Sequence, residues 1–308
     1  MPYVLDEKTA RSVVTAIRAK IREYFEKNGL HYAVFGKSEG LDSSVIAGLL
    51  ADIPGVQPIA AVIPIETAEH VVPLAYKVLK HYAIPSVEVD LTGQYRAIKT
   101  AYYNQGGLVE QLRGVAAAAQ DSQTVARLES VEKLALGNIK VRLRMITLYH
   151  IAQLLGGLVV STDNYSEYWM GFWTINGDVG DLVPIQQIFK GSELYTIGKV
   201  LGLPEEALNA VPSDGLGVTA ANTDEAQLGL PYDKLDRVIL RLLTNSFLGH
   251  APADREAILD QISQELDFGR DVIAQTSRRL ISTEFKRHWP VIFTREDLGL
   301  PPLELIQD

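Results

Sequence analysis

A short polar loop follows the first mostly apolar stretch of the chain and carries side chains that suit phosphate chemistry. The stretch 31–36 ends in a glycine, and the segment 37–44 then reads Lys-Ser-Glu-Gly-Leu-Asp-Ser-Ser. Small residues let a phosphate approach backbone N–H groups, and the N-terminus of a following helix attracts the anion. Ser38 and Ser43 add hydroxyl donors, and the carboxylate of Asp42 suits the Mg²⁺ that accompanies a nucleoside triphosphate. The loop lacks the Walker-type pattern Gly-x-x-x-x-Gly-Lys-Ser/Thr.

The same loop also has a purely structural interpretation. Asp and Ser are preferred N-cap residues, so Asp42 and Ser43 are equally consistent with capping a helix that begins near Ser43. Because short motifs carry a large false-positive risk, the loop alone leaves phosphate binding and helix capping open.

Alternating strands and helices position this loop. Apolar periodicity and turn residues predict helices at Val13–Phe25, Val45–Ala51, Ala68–Tyr82 and about Ile139–Leu155, and strands at His31–Gly36, Gln57–Pro64, Ser86–Leu91 and Leu158–Ser161. This alternation indicates an α/β fold, a doubly wound parallel sheet with helices on both faces, followed by a helical part from Ile185 onward. Ligands bind at the carboxyl ends of strands in such sheets, so the loops after Phe35 and Ser161 are the expected site. The sequence leaves the role of residues 104–136 open.

The composition excludes several functional classes. The 308 residues are 47% hydrophobic and 22% charged, which is typical of a globular chain with a sizeable core. With 29 Lys and Arg against 38 Asp and Glu, the net charge of −9 argues against broad nucleic-acid binding. The absence of cysteine excludes thiol nucleophiles, Cys-ligated zinc and iron–sulfur clusters, and the six histidines show no metal-binding spacing. Since neither a signal peptide nor a long apolar span is visible, we expect a cytoplasmic protein without a membrane or nucleic-acid partner.

Several segments resemble the ammonia-dependent NAD synthetases of the N-type ATP pyrophosphatase superfamily. Ser38–Ser43 resembles the Ser-Gly-Gly-x-Asp-Ser pyrophosphate loop, with Glu39 in place of a glycine. Gly137–Met145 resembles the family's Gly-Asn-x-x-x-Arg-x-Arg-Met, and Ser161–Glu167 its Gly-Thr-Asp-x-x-x-Glu. Thr223–Gly229 follows in the family's order. The downstream segments are the more specific ones, and the resemblance extends over most of the chain.

The resemblance implies a fold and an activity. The fold is that of the adenine nucleotide alpha hydrolases, in a single NAD synthetase-like domain over 1–308 without a glutaminase domain. The activity is the ATP-dependent amidation of deamido-NAD to NAD with ammonia, through an acyl-adenylate, with release of AMP and pyrophosphate. Ammonia rather than glutamine is indicated because a thiol-based glutaminase needs a cysteine that this chain lacks. Mg²⁺, ATP as co-substrate, and a homodimer with substrate sites at the subunit interface are implied as well.

The resemblance also implies roles for individual residues. The implied ATP-binding residues are Gly36, Lys37, Ser38, Glu39, Gly40, Leu41, Asp42, Ser43, Thr162, Lys190 and Ser213. Mg²⁺ would be held by Asp42 and Glu167, and deamido-NAD by Arg142, Asp181 and Lys286. Asp42 and Lys190 are expected to be catalytic, because activating a carboxylate with ATP requires mainly positioning and charge neutralisation.

Three of these residues have structural alternatives. Glu167 is also a typical acidic residue of a first helical turn, where it favours the helix dipole. Lys190 is consistent with a surface residue that begins an amphipathic helix, and Lys286 with a solvated basic tail.

Three positions depart from the family pattern. Glu39 brings a carboxylate to a loop for phosphates, which is repulsive unless the side chain turns away or pairs with a cation. Lys37 is a candidate partner, although side chains of an extended segment need not point the same way. Ile175 replaces a usual lysine and Phe285 a frequent histidine, both on the dinucleotide side.

Three hypotheses remain: NAD synthesis in a rearranged pocket, amidation of a different carboxylate, or nucleotide binding by a regulatory protein without turnover.

Overall fold

A parallel sheet forms the centre of the molecule. The computed structural model describes residues 4–67, 71–213, 216 and 223–300. The strands of this part are β1 Tyr32–Gly36, β2 Gln57–Val62, β3 Ser86–Glu88 and β4 Leu158–Val159. They are hydrogen-bonded in the order β3-β2-β1-β4, and each neighbouring pair is parallel. The parallel sheet expected from the sequence is therefore confirmed.

Helices cover both faces of the sheet and continue beyond it. Up to the last strand these are α1 Glu7–Asn28, α2 Leu41–Leu50, α3 Val71–His81, α4 Thr92–Tyr103, α5 Leu108–Ala118, α6 Ser122–Ser130 and α7 Glu132–Leu155. After it come α8 Tyr165–Met170, a π-helical turn Lys190–Leu194, α9 Tyr195–Leu201, α10 Glu205–Leu208, α11 Asp224–Leu228, α12 Tyr232–Thr244, a 3₁₀ turn Phe247–Gly249, α13 Pro252–Leu266, α14 Arg270–Ser282 and α15 Glu284–Arg287.

The two faces of β1 belong to different hydrophobic cores, because successive side chains of a strand point in opposite directions. Ala33 and Phe35 pack into a core with α1, α2, α3 and α9. Val34 packs on the other face with α4 and α7, which contribute Tyr95 and Met145. These three side chains of β1 are fully buried, so packing on both faces fixes the strand that carries the loop.

A third core lies in the C-terminal helical part. It is formed by α12, α13 and α14, and Met170 and Phe189 also belong to it. This agrees with the helical C-terminal part expected from the sequence. None of the described helices combines the length and the apolar character needed to cross a membrane.

Several element boundaries differ from the expected ones. Helix α2 begins at Leu41 rather than near Ser43, because Gly40 has an extended backbone and serves as the N-cap. Helix α7 begins at Glu132 rather than at the predicted Ile139. The prediction missed its first two turns because they are largely exposed and lack a clear apolar stripe. Part of the expected helix Ala68–Tyr82 lies outside the described residues, and α3 covers Val71–His81. The segment 104–136 contains α5, α6 and the start of α7.

Candidate active site

The phosphate loop connects the end of β1 to the start of α2. The Ser38 side chain forms hydrogen bonds within the loop: its Oγ accepts from Gly40 N at 3.1 Å and lies 3.1 Å from Ser43 Oγ. The N-cap residue Gly40 has no side chain, so no side-chain cap occupies the N-terminus of α2. Residues 36–43 all line one cleft. The loop thus has the geometry of an anion site at a helix N-terminus.

Asp42 does not cap α2, so the capping interpretation of this residue is wrong. It lies inside the first turn, and its carboxylate points away from the helix backbone. Its Oδ1 accepts a hydrogen bond from Asn164 Nδ2 at 2.7 Å, and its Oδ2 lies 2.9 Å from Lys190 Nζ. The loop after β1 and the loop after β4 are joined by this contact.

Lys190 lies at the centre of the cluster. Its Nζ forms ion pairs with Asp42 at 2.9 Å, Glu167 at 3.1 Å and Asp224 at 3.5 Å. The residue is only 6% exposed, so the interpretation of Lys190 as a surface lysine is wrong. Burial alone would lower the pKa of Lys190, but Asp42, the Tyr232 hydroxyl, Glu167 and Asp224 together raise it well above its ordinary value. The surrounding acidic groups therefore favour the charged form of this amine inside the cleft.

Glu167 has the expected structural role in the first turn of a helix and also faces Lys190 in the cleft. In helix α8 it forms a capping box with Asn164: Glu167 N donates to Asn164 Oδ1 at 3.0 Å, and Glu167 Oε2 accepts from Asn164 N at 3.4 Å. The other oxygen, Oε1, faces Lys190. Burial, with the charges of Asp42 and Asp224, raises the pKa of Glu167 to about 8 against the opposing effect of Lys190.

Asp236 of α12 fixes the backbone around Lys190. Its Oδ2 accepts hydrogen bonds from Gly191 N at 2.8 Å, Ser192 N at 2.9 Å and Ser192 Oγ at 3.1 Å. Its Oδ1 accepts from Ser166 Oγ, which in turn accepts from Lys190 N at 3.0 Å. A Cβ at position 191 would collide with the backbone of α12, so glycine is required for this close approach. Burial raises the pKa of Asp236 to about 6.

Three further predicted residues line the same cleft, namely Thr162, Ser213 and Lys286. Lys286 Nζ donates to the backbone carbonyls of Gly171, at 2.7 Å, and Trp173, and lies 5.4 Å from the centre of the Trp173 ring. The interpretation of Lys286 as a solvated tail is therefore wrong. Burial lowers the pKa of Lys286 to about 8, with a smaller contribution from the nearby Arg279 charge.

Arg142 and Asp181 do not line this cleft, in contrast to the other predicted residues. Arg142 Nε donates to the carbonyl of Ile175 at 3.2 Å. Asp181 accepts hydrogen bonds from Tyr149 OH at 3.1 Å and from Val159 N at 2.9 Å. Because Arg142 and Tyr149 are one i, i+7 step apart on α7, both predicted residues lie along one face of that helix.

The structure shows where the residues that differ from the family pattern lie. Lys37 and Glu39 differ in burial and form no ion pair: Lys37 is buried beneath the loop, whereas Glu39 is partly exposed. The backbone of Glu39 is not among those with positive φ, so this position does not require a glycine conformation. Ile175 is partly buried and keeps its carbonyl on Arg142, and Phe285 is 60% exposed.

Sequence reasoning missed several residues of the cluster. Asp224 and Asn164 lie within segments that resemble the family, and a polar residue in such a segment was the available signal. Tyr232 OH lies 3.2 Å from Asp224 Oδ2, and no sequence pattern marked Tyr232 or Asp236. Both belong to α12, whose position beside the loops is a tertiary contact.

The cleft is large enough for more than one nucleotide. Its volume of about 1630 Å³ exceeds the roughly 300–1,000 Å³ of common small-molecule pockets. The phosphate loop, Lys190 and Lys286 all open into it. The arrangement suits a reaction in which a triphosphate and a second substrate meet around one buried ammonium group.

Comparison with solved structures identifies the fold. The structure of an NH3-dependent NAD synthetase from Campylobacter jejuni subsp. jejuni superimposes with a TM-score of 0.67, at 20% identity, over 94% of this chain and 100% of the other. An NMN synthetase from Francisella tularensis gives a TM-score of 0.65, at 21% identity, over 92% and 98%. The chain thus has the adenine nucleotide alpha hydrolase-like fold of these ligases.

Sequence comparison identifies the family. The NAD synthase family model matches residues 13–290. The NH(3)-dependent NAD(+) synthetase of Thermoplasma volcanium is 34% identical over 229 residues, which cover 74% of this chain and 83% of the relative. The chain therefore belongs to the NAD synthase family, as the sequence motifs indicated.

Proposed function

We propose that the protein is an ATP-dependent ligase of NAD biosynthesis that amidates deamido-NAD with ammonia. The observation that carries this proposal is the convergence of the phosphate loop, Lys190 and the carboxylates of Asp42 and Glu167 in one cleft. Family membership supplies the substrate class, because the matched relatives are named NH(3)-dependent NAD(+) synthetases.

The chemistry needs a leaving group, since a carboxylate does not exchange its oxygen for ammonia directly. An oxygen of the substrate carboxylate attacks the α-phosphorus of ATP, so that an acyl–phosphate bond forms, the bond to the β-phosphate breaks and pyrophosphate leaves. Ammonia then attacks the acyl carbon, AMP leaves with the bonding electron pair, and the nitrogen releases one proton. Negative charge grows on phosphate oxygens in the first step, and the buried ammonium of Lys190 is placed to neutralise it.

We propose that residues 36–43 cradle the phosphates and that Thr162, Lys190 and Ser213 contact ATP. All of these line the cleft. Lys286 is proposed to contact deamido-NAD from the same cleft, and Arg142 and Asp181 from the α7 side.

The proposed Mg²⁺ ligands are Asp42 and Glu167. One oxygen of each carboxylate already shares Lys190 Nζ, at 2.9 and 3.1 Å, so the two are close enough to share a cation. Among the described residues, no group of three or more such ligands could hold a metal alone. This fits Mg²⁺, which protein sites commonly bind through one or two carboxylates together with substrate phosphates. When bound, Mg²⁺ would neutralise phosphate charge.

We also propose that the protein acts as a homodimer through the exposed face of α7. Ile146 is 65% exposed and Leu154 72% exposed, and Tyr149 on the same helix is 41% exposed. Large exposed apolar patches commonly mark protein interfaces. Because Arg142 lies on this face too, dimerisation would enclose the second group of proposed substrate contacts.

A second candidate function is amidation of a different carboxylate by the same chemistry. Ile175 and Phe285 favour it, because each replaces a polar residue on the dinucleotide side with an apolar one. The fold is shared with a structure named as an NMN synthetase, so this architecture accommodates more than one acceptor.

The decisive assay combines purified protein, Mg-ATP, ammonium and deamido-NAD and follows NAD formation. NAD that appears only with all components present would support the proposal. AMP and pyrophosphate formation with another carboxylate, but not with deamido-NAD, would favour the second candidate. ATP binding without AMP formation from any acid would overturn both and identify a nucleotide-binding protein without turnover.

A further inference from the structure

Lys37 is a lysine whose side chain is enclosed beneath the phosphate loop. Its N–H continues the strand ladder by donating to Ala61 O at 2.9 Å. Because strand side chains alternate, Lys37 points to the same side as Phe35, toward the first turn of α2. Only 4% of the residue is exposed.

The ammonium group ties together the two ends of the loop. Its Nζ donates to Ser43 Oγ at 3.2 Å and Ser44 Oγ at 3.0 Å, and also to the carbonyl of Ser38. Ser43 Oγ in turn accepts from Ser38 N at 3.3 Å. All three donors of the ammonium are therefore used to hold the loop in shape.

The partners of Lys37 are neutral, although the group itself is a cation. Within the described part of the chain no carboxylate forms an ion pair with it, and Glu39 and Asp42 act on it only through longer-range attraction. An enclosed cation without a paired anion is costly. Burial accordingly lowers the pKa of Lys37 to about 7, against the attraction of Glu39 and Asp42. An anion bound on the outer side of the loop would supply the missing charge.

Glu39 has the opposite effect on the same loop. It is partly exposed and, like the rest of residues 36–43, lines the cleft, so its carboxylate repels an incoming polyphosphate. The buried positive charge of Lys37, two residues away and hydrogen-bonded to Ser43 and Ser44, reduces that repulsion. The two charged residues are thus expected to depend on each other.

We propose that Lys37 is a positioning residue for the ATP phosphates: its buried ammonium fixes Ser38 and Ser43 and offsets the charge that Glu39 brings to the loop. This inference rests on the proposed function only in taking ATP as the ligand. It assigns no contact between Lys37 and the substrate.

The test is a double-mutant cycle with Lys37→Met, Glu39→Gly and the double variant. Affinities for Mg-ATP and for Mg-pyrophosphate are measured by calorimetry, and the KM for ATP and kcat are measured where turnover occurs. In the presence of Glu39, Lys37→Met should weaken ATP binding by about tenfold or more, because the charge that offsets Glu39 is lost. In the Glu39→Gly background the same change should cost several-fold less. Equal losses in both backgrounds would overturn the proposal.

A second variant separates charge from hydrogen bonding and guards against misfolding. Lys37→Gln removes the charge but can still donate to a serine hydroxyl, and its folding is checked by thermal unfolding. It should bind ATP as weakly as Lys37→Met, and wild-type affinity in Lys37→Gln would overturn the charge compensation. Because binding is measured without an acceptor acid, a wild-type protein that makes no NAD would disprove the proposed substrate without affecting this result.

Discussion

Lys190 shows how one side chain depends on several others. It is charged although it is buried, because three carboxylates surround it within 3.5 Å. The same carboxylates would repel each other without it. Lys190 is therefore expected to matter for stability as well as for catalysis.

We predict that Lys190→Met lowers the rate of AMP formation by about 10²–10³-fold, which is typical of a lost group that stabilises transition-state charge. We also expect a loss of about 3 kcal/mol of unfolding free energy, because buried carboxylates lose their cation. Stopped-assay AMP measurement and denaturant unfolding check the two parts. The exposed Lys199→Met is the matched control. AMP formation at the wild-type rate in Lys190→Met would contradict the proposed role.

The lowered pKa of Lys286 leads us to predict that the KM for the acceptor deamido-NAD depends on pH. Its pKa is lowered to about 8, mainly by burial, so its charged fraction falls as the pH rises through 8. If it contacts an anionic acceptor, the KM for deamido-NAD should rise between pH 7 and 9, while the KM for ATP should change less. Lys286→Gln should have a high KM that no longer depends on pH in this range. A wild-type KM that stays flat from pH 7 to 9 would rule out this contact.

At the scale of elements, the orientation of Lys190 depends on the π-helical turn Lys190–Leu194, which side chains of other elements hold in place. It connects two cores, since Phe189 packs in the C-terminal core and Leu194 in the core beside the sheet. Its N–H groups at Gly191 and Ser192 are held by Asp236 of α12. The orientation of Lys190 thus depends on a helix that is distant in sequence.

Asp236→Ala tests this dependence. Removing the carboxylate leaves buried N–H groups without their acceptor, so we expect a loss of about 3–5 kcal/mol of stability. We also expect kcat to fall by about tenfold or more, because Lys190 shifts. Denaturant unfolding and steady-state kinetics measure both. Asp260→Ala removes only an exposed ion pair with Arg270 and should cost less than about 1 kcal/mol. A similar loss in both variants would mean that Asp236 has no special structural role.

At the scale of the whole molecule, the cleft forms where the sheet and the C-terminal helical part meet. The loop after β1 and the loop after β4 supply Asp42 and Glu167, and the helical part supplies Asp224 and Tyr232. The exposed face of α7 lies beside this assembly. Its apolar residues give the proposed dimer a testable location.

We predict that Ile146→Glu converts a dimer into a monomer, because a charge at the centre of an apolar interface has to lose its hydration. Light scattering after size-exclusion chromatography measures the mass of both proteins. The control is Val211→Glu, which changes a 67% exposed residue outside α7 and should leave the mass unchanged. A wild-type protein that is monomeric at all concentrations would disprove the homodimer.

The sequence alone predicted much of the fold because its signals are local. Apolar runs bounded by turn residues placed β1 and β2 nearly at their observed positions. Helix α1 covers Glu7–Asn28, beyond the predicted Val13–Phe25 at both ends, and closes at Gly29, whose φ of 64° is left-handed. Boundaries such as the start of α7 were missed, since a partly exposed helix lacks a clear apolar stripe.

What the sequence determined about the site is a set of residue types in order: a small-residue loop with Asp42, an acid at Glu167 and a basic residue at Lys190. The tertiary structure alone decided that Asp42 projects into the cleft instead of capping α2, and that Asp224 and Asp236 join the cluster. It also decided that Lys37 is buried beneath the loop while Glu39 is partly exposed. Local patterns report the conformation of neighbouring residues along the chain. The direction of a side chain and the charges around it depend on segments up to 182 residues apart, as in the pair of Asp42 and Asp224 that share Lys190, and only folding brings these together.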